Sequence, residues 1–412
     1  MCEAGGVMAG KYVFTIHDGP EAPELVTFWE RDSHDYSMTP FQRRGVLAAF
    51  YRHLPKNCSG LLVSVREASS GRIAMLLPLL MRKAHTLRLI EGADLGLSDY
   101  VAPAVADWFR PTPSEMSILW RALLRFLPPA DLLSFKKMPN SILDRQQNPL
   151  ALLARTEGMG IATKTLDLCN LDCPTHYRRS GLYKEGMRKL RKLREQGEVE
   201  FRIAQTPDDG LAQFEHLLEQ RRVRFSALKR PDALSRPEVR GFYRELIGHG
   251  VAHGEVLFGG LYLDGECVAT DLGFVHGDTH HGILTSTKAG ELARYSTGTV
   301  AFMLILDETL ARGIQHYDIG VGEFSYKDRL PGTKAPLLER HEALSLRGHI
   351  ALANANFRRL VRKGLSRYPA LRGPAETLAR KIRLPRKLSV AAGVGFMDWQ
   401  AWQGMSCLAN FA

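Results

Sequence analysis

At 412 residues and 45% hydrophobic content, the chain can fill the cores of two or three globular domains. No window approaches the roughly 20 uninterrupted apolar residues of a membrane helix, and Met1 to Gly6 lack the basic start and apolar run of a secretion signal, so cytoplasmic residence is expected. The net charge of +11 favours polyanionic partners, while the absence of aromatic interleaving or a recognised nucleic-acid module ranks nucleic acid low.

In chain order, Tyr12 to Ile16 reads as a strand, and Glu24 to Asp32 and Phe41 to Leu54 read as helices. Leu61 to Val65 and Ile73 to Met81 form a hairpin pattern turned at Ser69-Ser70-Gly71. A strand at Leu87 to Ile90 precedes Ser98-Asp99-Tyr100, followed by a helix from Pro113 to Phe126 and strands at Asp131 to Phe135 and Thr163 to Leu168. The second half opens with a basic helix, Lys184 to Gln196, stopped at Gly197. A strand at Val199 to Ala204, a helix at Asp209 to Arg224 and a helix at Pro237 to Gly248 come next. Strands at Val256 to Leu263, Glu266 to His276 and Thr279 to Thr285 are punctuated by Gly265 and Gly277, so mixed pairing is expected.

After these strands lies the turn Arg294-Tyr295-Ser296-Thr297-Gly298-Thr299. From about Thr299 a helix presents Val300, Met303, Leu304, Leu306 and Leu310 on one face, with Asp307 as a polar interruption and Gly313 as the stop. Gly298 with small hydroxyl neighbours lets the backbone approach a ligand, and the first N–H groups of the helix favour phosphate oxygens. An ordinary Ser/Thr cap explains the same residues. A strand from Gln315 to Ile319 leads into Gly320-Val321-Gly322-Glu323-Phe324-Ser325-Tyr326-Lys327. Beyond Ser345 the pattern is that of a basic helical tail.

Six dispersed cysteines form no disulfide framework, and Cys169 with Cys173 lacks the second pair a zinc site needs. His280 and His281 are adjacent on a strand, point to opposite faces and make a poor chelate, so no metal is expected. Asp271 interrupts an apolar strand and needs a partner or a wet cleft. No Gly-x-Ser-x-Gly elbow or reactive cysteine setting occurs. Two basic stretches, Arg178 to Arg194 and Arg358 to Lys387, suit nucleotide phosphates or an acidic membrane surface.

Gly260-Leu261-Tyr262-Leu263-Asp264-Gly265, Ser296-Thr297-Gly298, Gly313, Tyr317-Asp318-Ile319-Gly320-Val321-Gly322 and Tyr326-Lys327 follow one another in an order that resembles the GNAT acyltransferases. The likeness is to the branch associated with cellulose and exopolysaccharide biosynthesis, which is similar to the Fem-type aminoacyl transferases. Thr297 stands where that branch usually has proline. The Ser98-Asp99-Tyr100 segment resembles the degenerate N-terminal half of the same two-lobed family.

The resemblance implies an α/β fold of tandem GNAT-like lobes with mixed sheet. A degenerate lobe is expected over residues 1–163, an acyltransferase lobe over 164–347 and a basic helical tail over 348–412. It implies acetyl-CoA or another acyl-CoA as donor, docked at Arg294, Ser296, Thr297, Gly298 and Thr299, with no covalent enzyme intermediate. Lys327, beside Tyr326, is the oxyanion candidate; Asp318 and Glu323 are candidates for the proton route. Asp271 and Arg224, the latter matching the end of a family motif with Phe225, are candidates for binding an amine or saccharide hydroxyl acceptor. The rival readings are a Fem-like transferase using aminoacyl-tRNA and a noncatalytic subunit of a polysaccharide assembly tethered to an acidic membrane by the tail.

Overall fold

The computed structural model describes residues 7–143, 145–154, 156–173, 176–322 and 325–367. The first half contains β1 (Val7–Ala9), β2 (Tyr12–His17), β3 (Tyr36–Ser37), α1 (Arg44–Arg52), β4 (Cys58–Glu67), β5 (Ile73–Ala84) and β6 (Leu87–Gly92). It continues through β7 (Ala104–Ala106), α2 (Pro113–Phe126), β8 (Leu132–Pro139), the small hairpin β9 (Ser141–Ile142) and β10 (Gln146–Gln147), and β11 (Glu157–Asp167). The second half contains α3 (Gly181–Arg194), β12 (Val199–Ile203), α4 (Pro207–Ala227), α5 (Pro237–Gly250), β13 (Val256–Leu263), β14 (Glu266–His276) and β15 (Thr279–Thr287). α6 (Thr297–Ala311), β16 (His316–Val321), α7 (Ser325–Asp328), β17 (Thr333–Ala343) and α8 (Leu346–Arg367) complete it.

Two lobes share one winding order. β2, β4, β5 and β6 run antiparallel to their neighbours, and α2 returns the chain so that β8 lies parallel to β6. β12, β13, β14 and β15 repeat that order, with α6 returning the chain to β16, parallel to β15. The closing strands are exchanged. β11, last of the first half, pairs with β16, while β17, last of the second, pairs with β8 and with β11. A single 15-stranded sheet results, and it runs from one lobe into the other without an edge between them. Residues 163 and 164 both lie inside β11.

Patterning explains which strands sit deepest. β5 is buried at every position from Ile73 to Leu80, because helices and loops cover both faces and no polar alternation is needed. α6 differs from its expected amphipathic form. It is apolar on nearly all sides and is buried from Thr297 through Met303, enclosed between the sheet and α3. Asp307, the polar interruption, accepts hydrogen bonds from the Tyr177 and Tyr183 hydroxyls at 2.7 and 2.6 Å and from Arg178 Nε at 2.8 Å. It ties α6 to the chain entering α3.

Two expected helices are altered. Glu24 to Asp32 is broken into a 3-10 turn at Pro23–Leu25 and a short π-helical stretch at Phe28–Asp32. Residues 41 to 54 divide at Arg43, whose extended backbone separates a 3-10 turn at Pro40–Gln42 from α1. Thr39 caps that turn through a reciprocal pair with Gln42, which ends the local hydrogen-bond run before α1 begins.

Candidate active site at the fork of the second lobe

β15 and β16 pair only where Thr279 to His281 meet His316 to Asp318, and beyond that point no pairing joins them. A bulge on β15 marks the same place: Leu272 opposes Leu284 and Gly273 opposes Gly282, which leaves Ile283 over. Gly320 sits at the fork with φ of +76°. Its N–H donates to Asp318 Oδ1 at 2.9 Å and its carbonyl accepts from Lys327 Nζ at 2.8 Å. A Cβ at this position would stand 2.6 Å from Asp99 Oδ2, so both the left-handed backbone and the close carboxylate require glycine.

Two carboxylates therefore meet at Gly320, in very different states. Asp318 is 2% exposed and accepts from the Tyr100 hydroxyl at 2.5 Å, the Thr163 hydroxyl at 2.7 Å and His281 Nδ1 at 3.0 Å, besides the Gly320 amide. Burial pushes its pKa up, but His281 and the two hydroxyls outweigh burial and hold it below the ordinary value. Every partner favours the ionised form, and Tyr100 and Thr163 bring the first-half loop and β11 onto β16. Asp318 is thus a buried anchor.

Asp99 is only half buried. Burial pushes its pKa up to about 6; the charge on Asp318 adds to this, and Lys137, Lys327 and the Val321 amide oppose it. The loop that carries it is fixed by Lys137, whose ammonium donates to Asp94 Oδ1 at 2.6 Å and to the Ser98 carbonyl. A carboxyl that titrates near neutrality in a reachable position can accept a proton. Its role is not readable from the isolated segment Ser98-Asp99-Tyr100, since its partners come from β8 and β16.

The residues expected at the donor dock come together at the start of α6. Ser296 is left-handed at φ 50° and ψ 50°, makes no side-chain cap, and the first turn carries no acidic residue. Its N–H groups keep their positive end. Gly298 lies against Thr287, whose Cγ2 would be 2.8 Å from an added Cβ. Lys189 on α3 donates to the Arg294 carbonyl at 2.5 Å, and the Arg294 guanidinium lies 5.0 Å from the Tyr295 ring centroid. The Thr297 hydroxyl donates to the Val268 carbonyl at 3.4 Å, so this side chain turns toward the sheet and the backbone is left to meet a ligand.

Asp271 lies on the opposite side of the sheet from Asp318, under α6. Its Oδ1 accepts from the Tyr317 hydroxyl at 3.4 Å, and burial pushes its pKa up to about 8. Asp271 Oδ2, Thr285 Oγ1 and His280 Nε2 all lack hydrogen-bond partners among the described residues. His280 and His281 face opposite sides: His280 Nδ1 meets the Thr309 hydroxyl at 2.7 Å, and His281 meets Asp318. Among the described residues no group of three His, Cys, Asp or Glu is placed to hold a metal ion.

Tyr326 is buried with its ring 6.4 Å from that of Phe302. Arg224, at the end of α4, lies apart from this cluster, and burial together with Arg221 and Arg230 lowers its pKa. Arg221 forms the buried ion pair of that region, reaching Asp232 Oδ1 at 2.8 Å. Gln220 joins α4 to the sheet through the Cys267 carbonyl at 2.9 Å and the Ser286 hydroxyl at 2.6 Å. Glu323 lies outside the described residues.

Residues 182–328 match the family described as acetyltransferase (GNAT) domain. A search of curated proteins finds no match. Among solved structures, FemX is similar at 10% identity and a TM-score of 0.49, covering 74% of this chain and 92% of its own. The C-terminal domain of a putative lysylphosphatidylglycerol synthetase from Agrobacterium fabrum is similar at 11% and 0.46, covering 75% and 90%. A tandem GNAT protein from the clavulanic acid biosynthesis pathway is similar at 12% and 0.45, covering 81% and 99%. The matched stretch contains both the fork and the α6 start, and the first half repeats its winding order: the chain folds as two GNAT-like lobes in tandem, the second matching the acetyltransferase (GNAT) domain over residues 182–328.

Proposed function

We propose that the protein transfers an acetyl or longer acyl group from acyl-CoA to an amine or hydroxyl acceptor at the β15/β16 fork. The observation that carries the reading is the pairing at Gly320 of a saturated carboxylate, Asp318, with a titratable one, Asp99, in the same domain as an uncapped helix start. In this reading the N–H groups of Thr297 to Thr299, with Arg294 nearby, receive the donor's phosphates. Asp99 takes the acceptor's proton as the nucleophile attacks the thioester carbonyl, and the CoA thiolate leaves without a covalent enzyme intermediate. Lys327 supplies positive charge to the developing oxyanion, and Tyr326 fixes its helical turn.

Asp271 and Arg224 are the further acceptor-binding candidates, and a saccharide acceptor of envelope or polysaccharide synthesis is the class the resemblance favours. The aminoacyl-tRNA alternative leads to a projecting coiled-coil arm in the second lobe. α4 and α5 instead bury Phe214, Phe242 and Tyr243 against the core.

Contact with an acidic membrane surface belongs to the same reading. No helix among the described residues is long and apolar enough to cross a membrane. On α8, Leu346, Ile350 and Phe357 are exposed at helical spacing of four and seven, which presents one apolar stripe on a basic helix. The rest of the basic tail, beyond residue 367, lies outside the described residues.

The test is release of free CoA thiol from acetyl-CoA in the presence of amino sugars, polyamines and uncharged sugars. Turnover with one acceptor class, lost in Asp99→Asn while the fold is retained, supports the reading. Turnover unchanged by that substitution removes Asp99 from the proton route.

A further inference from the structure

β11 is the last strand of the first half, yet it pairs with β16 of the second, and neighbouring side chains along it point to opposite faces of the sheet. Thr163 and Lys164 serve the two faces of the fork in this way. Thr163 reaches Asp318 on one face. On the other, the Lys164 ammonium donates to the carbonyls of Lys327 at 2.8 Å and Leu330 at 2.5 Å. Both carbonyls belong to α7 and the turn that leaves it toward β17. Tyr326 of α7 lies with its ring 6.4 Å from that of Phe302, so α7 sits on the face that α6 covers.

β16 is bulged opposite the same lysine. Thr163 pairs with Val321 and Thr165 with Asp318, so Ile319 and Gly320 together oppose Lys164 alone. Gly320 is the left-handed residue of that pair, and its carbonyl accepts from Lys327 Nζ at 2.8 Å. The contacts close a ring: Lys164 holds the backbone of Lys327, and the Lys327 ammonium holds the backbone opposite Lys164.

A lysine is a costly choice for this strand position. Lys164 is 6% exposed, and an ammonium taken out of water must regain hydrogen bonds inside the protein. Burial lowers its pKa, Lys334 of β17 lowers it further, and Asp328 opposes both. Asp328 is engaged by Lys334 at 2.7 Å. The Lys164 ammonium therefore spends its hydrogen bonds on carbonyls. α7 needs them, since a helix of one turn, Ser325–Asp328, cannot hold itself and leaves its carbonyls without helical partners.

We propose that Lys164 is a positioning residue for acyl transfer, fixing the α7 backbone so that the Lys327 ammonium stays at Gly320. The proposal rests on the reading of Lys327 as the group that meets the developing oxyanion. It adds a second contribution of the first half of the chain to the fork, beside that of Asp99.

The experiment compares the full-length parent with Lys164→Met, which keeps the side-chain length and removes the donors, and with Lys334→Met, which removes the neighbouring cation of β17. Acetylation of Lys327 by acetic anhydride is scored on its own peptide, as a ratio to Lys137, a buried lysine of β8. The expected result is a ratio raised about tenfold or more in Lys164→Met and unchanged in Lys334→Met. In the CoA-release assay, Lys164→Met should lower kcat about tenfold or more and leave KM for acetyl-CoA within about twofold, since the α6 start is untouched. An unchanged labelling ratio in Lys164→Met, an equal rise in Lys334→Met, an unchanged kcat, or a loss confined to KM overturns the proposal. General unfolding of Lys164→Met exposes Lys137 as well and leaves the ratio flat, so it counts against the proposal too. Absence of turnover in the parent counts against the acyl-transfer reading, and the labelling ratio still decides whether Lys164 holds Lys327.

Discussion

The two lobes splay the same parallel strand pair, β6 with β8 and β15 with β16, beside opposite helix starts. α2, which follows the first fork strand, begins with Thr112, whose side chain and that of Glu115 cap each other's backbone amides, and with Pro113 in the first turn. A carboxylate occupies the place where an anion would bind, and one N–H is absent. α6, which follows the second fork strand, begins at a left-handed Ser296 with no side-chain cap and no acid in its first turn. One duplicate has closed its helix start in favour of stability. The other has kept that end open, and its fork receives Asp99 and Tyr100 from the first lobe. In the proposed reading one acyl-transfer site draws on both lobes, and the closed lobe contributes the proton acceptor.

The sharpest way to break this comparison is Asp99→Asn. We expect CoA release to fall about 100-fold or more with folding intact, measured by thiol assay. The pH profile gives the sign: the base form of Asp99 is populated above about 6, so the rate rises with pH through that value and levels off, and the limb disappears in the variant. Asp318, held below the ordinary range, contributes no limb there. Gly320→Ala tests the node between the two carboxylates. The left-handed backbone and the Asp99 contact should cost about 2 kcal/mol of stability, seen as a lowered denaturation midpoint, with reduced turnover.

Asp271→Asn probes the buried side of the same fork. Its carboxyl has a folded pKa of about 8, above the ordinary value near 4, so the folded chain binds its proton more tightly than the unfolded chain. The stability this proton confers is complete below about pH 4 and declines as pH rises to 8. Denaturation across that window should show a flatter slope in the variant, with a gain on the order of 5 kcal/mol over the parent at pH 9. Thr112→Ala, at the closed helix start, should cost about 1 kcal/mol of stability and leave CoA binding as it was.

Most of the second lobe was legible in the sequence. Val256–Leu263 and Glu266–His276 lie where alternation and the turn glycines Gly265 and Gly277 place them. The swap of β11 and β17 was not legible, because pairing between strands about 170 residues apart leaves no local signal, and Thr333–Ala343 carries an irregular charged pattern. Asp318 was visible as a polar residue near the loop glycines. Its saturation was not, since Tyr100, Thr163 and His281 come from three other segments. Asp99 was hidden for the same reason. The buried bonds of Arg221 and Gln220 to Asp232, Cys267 and Ser286 likewise depend on tertiary neighbours.

The most direct measurement is calorimetric titration of the intact chain with acetyl-CoA and CoA, beside Gly298→Asp and Thr112→Ala. The account predicts one equivalent bound per chain, retained in Thr112→Ala and lost in Gly298→Asp, whose side chain would bring a negative charge to the open helix start beside Thr287. No binding to the parent chain, two equivalents per chain, or full binding to Gly298→Asp would contradict it.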